Sequence, residues 1–236
     1  IGATPLLCID SLGGYLMKSV KQNLNHIQSI IDQQSPEQNI NMIAVTKYVS
    51  NERKIEAYDA GLRHFGENRV EGFNETFNLL SDKKDCVFHF IGTLQSRKVK
   101  EIIDYVDYIH SVDRLSLAKE INKRASRPID CLIQVNVSGE ESKHGIPMDD
   151  LDTLIERIVD MDNINVIGLM TMAPINSNDE QLTHIFSTLK NLKDEINNKY
   201  DTIQMTELSM GMSQDYHIAL KHGATMLRIG TTLVGE

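Results

Sequence analysis

Met42-Ile43-Ala44-Val45-Thr46-Lys47 is four apolar residues, a threonine and a lysine, followed by the polar turn Tyr48-Val49-Ser50-Asn51. An apolar run without polar interruption suits a strand buried on both faces, as in a parallel sheet. Lys47 then stands where that strand emerges. A lysine there is either a solvated cap on the strand or an amine placed to form a Schiff base with a carbonyl. The rest of the chain has to decide between the two.

Working outward, Val20, Leu24, Ile27, Ile30 and Ile31 recur at helical spacing, so an amphipathic helix precedes this strand. After it the chain alternates. A helix is predicted from Asn51, as N-cap, to Ala60, with Gly61 as its stop. Further strands are predicted over 64–67, 86–91, 106–110, 129–137, 165–172, 204–209 and 226–229. Helices are predicted between them over 69–80, 97–104, 114–125, 149–160, 178–198 and 214–222. Strict alternation means a parallel sheet. Eight strands without a GxGxxG fingerprint predict an α/β fold, a single (β/α)8 TIM-type barrel with an N-terminal helix before its first strand. An open doubly wound sheet is the alternative.

Bulk properties narrow the function. The 236 residues are 41% hydrophobic and 24% charged, enough apolar material for one large core. Lys plus Arg total 24 against 33 Asp plus Glu, a net charge of −9. That argues against a general nucleic-acid or anionic-membrane binder. No apolar run approaches the roughly 20 residues of a membrane span. Cys8, Cys86 and Cys131 are far apart with no CxxC, and read as thiols in a reducing cytoplasm. The eight histidines show no HExxH or paired Cys/His spacing, so no metal site is expected. Residues 1–16 lack the basic start of a signal peptide and read as a remnant foreign to the natural chain, which starts at Met17. The barrel is assigned to 17–236, and a further closing helix is expected beyond Glu236.

In a barrel of this kind the loops at the carboxyl ends of the strands form the active face. Those ends are Lys47, Glu67-Asn68, Gly92-Thr93, Ser111, Asn136, Met170-Thr171, Ser209 and Arg228 to Gly230. Singly, each has a structural explanation as a cap, turn or loop starter; together they converge on one face. Leu208 to Ser213 closes strand seven and Arg228-Ile229-Gly230-Thr231 closes strand eight. Loops after these two strands commonly bind phosphate through backbone N–H groups, and Gly211 and Gly230 would let backbone approach an anion. An amine facing a phosphate site describes a ligand with an aldehyde at one end and a phosphate at the other. Pyridoxal 5′-phosphate (PLP) is such a ligand.

The same stretches resemble the pyridoxal phosphate homeostasis proteins, single-barrel relatives of the N-terminal domain of alanine racemase. The matching segments are Ile43 to Lys47, Phe65 to Val70, His89 to Gln95, Gly168 to Met170, Leu208 to Ser213 and Arg228 to Thr231. The resemblance implies that Lys47 carries PLP as an internal aldimine, that Ser209 and the backbone of Gly230 and Thr231 contact its phosphate, and that Arg228 faces the pyridine nitrogen. Asn68 and Met170 complete the expected cofactor-binding set. The chain departs from the family in having Tyr48-Val49-Ser50 where a proline often follows the lysine, and Arg97-Lys98 where Asn-Lys often follows Gln-Ser.

Arginine at the pyridine nitrogen can only donate, which leaves the ring a poorer electron sink than a pyridinium. The alanine racemase resemblance also implies a second domain whose tyrosine acts as opposing base, and no tyrosine of this chain is an evident substitute. The expectation is a cytoplasmic, monomeric PLP carrier or regulator serving PLP and vitamin B6 homeostasis, with PLP-dependent apo-enzymes as partners. The competing expectations are a weak PLP-dependent racemase and a class I aldolase.

Overall fold

A computed structural model of the chain describes residues 7–9, 15–141 and 144–235. Eight parallel strands form its centre: β1 (Asn41–Val45), β2 (His64–Glu67), β3 (Val87–Phe90), β4 (Tyr108–Val112), β5 (Ile129–Asn136), β6 (Ile164–Met170), β7 (Glu207–Ser209) and β8 (Met226–Ile229). Each pairs with its neighbours in sequence, β8 pairs with β1, and β4 with β5, so the sheet closes on itself. The expected (β/α)8 barrel is what the chain forms. Ile146–Pro147 adds a two-residue strand outside β5. Leu7–Ile9 and Tyr15–Met17 pair antiparallel; the rest of the expected remnant, residues 1–16, lies outside the described residues.

Helices α1 (Val20–Gln34), α2 (Asn51–Asp59), α3 (Val70–Leu80), α4 (Leu115–Arg124), α5 (Leu151–Ile158), α6 (Asp179–Lys199), α7 (Tyr216–Lys221) and α8 (Thr231–Val234) surround the barrel. The α1 helix starts at Ser19, whose hydroxyl accepts from the Gln22 N–H while the Gln22 side chain accepts from the Ser19 N–H. It buries Val20, Asn23, Ile27 and Ile31, and Asn23 Nδ2 donates to the Leu233 carbonyl of α8 at 2.9 Å. A short helix, α8, thus follows the last strand from Thr231 within the sequence.

Three local expectations change. Ser50, not Asn51, caps α2 by accepting from the Arg53 N–H, because the extended backbone one residue earlier aims its hydroxyl at the helix start. The helix expected over 97–104 is a 3-10 turn, Ser96–Glu101. The fourth strand runs two residues later than expected, so Ser111 lies within β4, buried, and not at its mouth.

Side chains alternate across each strand. Outward residues such as Phe65, Phe88, Phe90, Ile109 and Leu208 join the main core under the helices. There Phe73 of α3 packs edge-on to Phe88 at 6.3 Å, and its truncation would cost about 3–5 kcal/mol. Inward residues fill the barrel. Ile43, Leu132, Met170 and Met226 form a separate buried cluster there. A Cβ on Gly66 would lie 2.8 Å from Ile43 Cγ2, so glycine is what gives that isoleucine room.

Candidate functional site

A cavity of about 880 Å3 opens at the carboxyl ends of the strands. Lys47 stands on its wall, and the turn that places it is unusual. The Val49 N–H bonds back to the Thr46 carbonyl at 3.2 Å, and Tyr48 takes φ +59°, the only positive φ outside glycine among the described residues. A bulky residue in the left-handed region costs on the order of 1–3 kcal/mol. That bend turns the chain off β1 directly after Lys47 and leaves Tyr48 82% exposed on the rim, with the Lys47 ammonium 6.0 Å from its ring.

Beneath Lys47 the end of β1 is anchored by a buried polar cluster. Glu67 Oε1 accepts from the Thr46 hydroxyl at 2.5 Å and from the Thr76 hydroxyl at 2.7 Å. Lys54 Nζ donates to Thr76 Oγ1 at 2.9 Å and lies 4.0 Å from the same carboxylate oxygen. Charge and hydrogen bonds are thereby matched in a group that would be costly if left half-paired. In the sequence Glu67 is marked only as a strand end, and no motif marks Lys54, Thr46 or Thr76.

Arg228 forms part of the floor. It is 2% exposed, and its Nη1 donates to Ser209 Oγ at 2.5 Å and its Nη2 to the Thr171 carbonyl at 2.9 Å. Burial lowers its pKa to about 10, and Asp215 opposes the shift, so it remains a cation at neutral pH. Two bonds use only part of the guanidinium's five N–H groups. Asp215 itself caps the β7–α7 turn by accepting from the Met212 N–H at 2.7 Å, and burial raises its carboxyl pKa.

Of the expected site residues, Lys47, Asn68, Arg228, Gly230 and Thr231 all line this cavity. Ser209 and Met170 do not. Both are fully buried, one layer below the wall: Ser209 is committed to Arg228 and His110, and Met170 to the apolar cluster of the barrel interior. The hydroxyl that reaches the cavity beside Gly230 and Thr231 is that of Ser213, four residues further on, bonded to Thr232 Oγ1 at 3.0 Å. Gly211, with φ +103° and Leu227 Cδ2 2.9 Å from any Cβ, is required by the turn itself. A Cβ on Gly92 would overlap the Asn68 carbonyl, so glycine there lets β3 close against Asn68. Asn136 is a loop starter: its Oδ1 accepts from Ser138 and Gly139. Cys131 is buried and Cys86 half-buried; burial pushes both thiols up, Cys86 to about 11.

Sequence comparison places this geometry in a family. Residues 17–236 match the family described as alanine racemase, N-terminal domain. The pyridoxal phosphate homeostasis protein of Aquifex aeolicus is 43% identical over 198 residues, covering 83% of this chain and 86% of that protein. This chain belongs to that family. The Vibrio alginolyticus member is 38% identical over 231 residues, covering 93% and 98% respectively. Among solved structures, PipY of Synechococcus elongatus with PLP bound superposes with a TM-score of 0.84 at 31% identity, over 92% of this chain and all of PipY. Alanine racemase from Corynebacterium glutamicum, at 11% identity and TM-score 0.70, covers 90% of this chain and 61% of that one, and shares the barrel fold. Among the described residues no helix is long and apolar enough to cross a membrane.

Proposed function

We propose that the chain binds pyridoxal 5′-phosphate in this cavity, covalently through Lys47, and takes part in PLP homeostasis inside the cell as a carrier or regulator. The observation that carries the reading is the pairing of Lys47 at the end of β1 with the Arg228 floor and the Ser213–Gly230–Thr231 wall across one opening. The donor set suits the cofactor: an amine for the aldehyde, a buried cation for the ring nitrogen, and hydroxyl and backbone groups for the phosphate. PipY, solved with PLP bound, adds support from a relative. When bound, PLP would supply the aldehyde and an electron-withdrawing ring. The protein's own groups would hold and orient it: Lys47 bonds the aldehyde carbon, Arg228 donates to the ring nitrogen, and Ser213, Gly230 and Thr231 take the phosphate. Asn68, which lines the same cavity, would be available to the ring. Ser209 and Met170 then act from beneath, Ser209 by holding Arg228.

Incubation with PLP should give an imine absorbance band, and borohydride reduction with peptide mapping should place a pyridoxyl group on Lys47. Lys47→Ala should lose both. A band that survives Lys47→Ala would remove Lys47 from the role. An adduct forming only with an added keto-substrate would favour an aldolase, and exchange of the α-proton of an amino acid would favour a racemase.

A further inference from the structure

Three histidines run through the barrel interior in single file. His64 Nδ1 lies 2.9 Å from His89 Nε2, His89 Nδ1 lies 2.9 Å from His110 Nε2, and His110 Nδ1 lies 2.8 Å from Ser209 Oγ. The register explains the file. Gly66 is opposite His89 and His89 is opposite Tyr108, so each step to the next strand climbs two residues and stays on the inward face. The file starts at half-buried His64, at the amino end of β2, and ends beneath the Arg228 floor. Tyr108 stacks on His89 at 4.6 Å and 11°, fixing that ring's plane.

Every ring nitrogen of His89 and His110 faces another member of the file, and both residues are fully buried. A neutral imidazole has one donor and one acceptor, whereas a doubly protonated one would set two donors face to face. The file must therefore run in one direction throughout. Ser209 decides which. Its oxygen accepts from the Arg228 guanidinium, which can only donate, and its single proton has no acceptor but His110 Nδ1 among the described residues. The hydroxyl donates to His110 Nδ1, His110 Nε2–H to His89 Nδ1, and His89 Nε2–H to His64 Nδ1. The nitrogens lie in line and do not converge, and no group of His, Cys, Asp or Glu among the described residues could hold a metal.

We propose that His64, His89 and His110 are positioning residues for Arg228: a one-way hydrogen-bond column, all three as Nε2–H tautomers, that fixes the Ser209 hydroxyl and through it the guanidinium on the cavity floor. This rests on the reading that Arg228 faces the cofactor ring, and it makes His64, at the far end of the barrel from Lys47, a residue that influences cofactor retention.

The first test is made on the unmodified protein without PLP. Two-bond proton–nitrogen spectra of histidine-labelled chain should show His89 and His110 protonated at Nε2; an Nδ1–H form at either would overturn the column. The second test compares His64→Leu with His64→Asn, whose Oδ1 stands where the imidazole Nδ1 stands and can accept from His89. The leucine variant leaves that N–H without a partner and should bind PLP about three- to tenfold more weakly, with the asparagine variant restored to near the parent value. Equal PLP affinity in the two variants would overturn the positioning role. The spectrum of the unmodified chain decides even where the leucine variant fails to fold. Failure of the parent chain to take up PLP would overturn the cofactor reading, a different result from Nδ1 protonation.

Discussion

The barrel interior has two unlike sectors. One, drawn from β1, β5, β6 and the start of β8, is packed with Ile43, Leu132, Met170 and Met226. The other, from β2, β3, β4 and β7, holds His64, His89, His110 and Ser209, ending at Arg228. Both sectors exclude water and occupy space. The apolar one requires volume and tolerates exchange, since dispersion contacts are many and individually small. The polar one requires each partner, since a buried donor or acceptor left alone keeps its full desolvation penalty. One sector fills the barrel, and the other fixes a charged group at the site.

The sharpest way to break this contrast is His110→Leu. It leaves the Ser209 hydroxyl without its acceptor and His89 Nδ1 without its donor, and should cost about 2–6 kcal/mol at roughly 1–3 kcal/mol for each orphaned group. Urea denaturation of the cofactor-free protein measures it. A loss under about 1 kcal/mol would mean that the polar sector is as forgiving as the apolar one.

A second effect separates the sectors by pH. Burial holds the His89 and His110 pKa values well below the usual 6.5, so below about pH 6.5 the unfolded chain binds protons that the folded chain refuses. Their contribution to stability is complete above that pH and is lost as the pH falls, at a rate approaching about 1 kcal/mol per pH unit for each histidine that stays neutral in the folded chain. Comparing unfolding free energies at pH 6 and pH 5 in the parent and in His110→Leu isolates one imidazole. The variant should fall less steeply by about that amount, and parallel slopes would refute the assignment.

The smallest effect belongs to the apolar side. Met170→Leu keeps volume and character, and should cost less than about 1.5 kcal/mol while leaving the histidine tautomers unchanged. A larger loss would show that Met170 is held by more than shape. It would also bring the residue back toward the role expected of it at the cavity.

Most of the barrel was legible because strand and helix each impose a period, and a doubly buried strand such as Met42 to Val45 carries its apolar run openly. The mouth was legible to the extent that residues at or just past a strand's carboxyl end reach the cavity, which holds for Lys47, Asn68 and Gly230 on its wall and for Arg228 on its floor. Ser209 escapes this logic. It is the last residue of β7, yet its side chain lies a layer below the wall, because the turn through Gly211 carries the chain further before Ser213 reaches the cavity. The fourth strand slipped by two residues for a similar reason: an apolar stretch marks a strand but not where its partners' hydrogen bonds begin and end.

The sequence by itself determined the alternation of elements, a parallel sheet and the lysine at the end of its first strand, because these follow from local periodicity and from which residues tolerate burial; closure of that sheet is settled by the pairing of β8 with β1. Only the tertiary structure decided which polar residues meet. His64, His89 and His110 stand 25 and 21 residues apart with no motif to join them. They become neighbours because strand register and tilt bring inward positions of successive strands into line. Register is a property of the closed sheet, set by the packing of all eight strands together, and no single stretch of the chain encodes it.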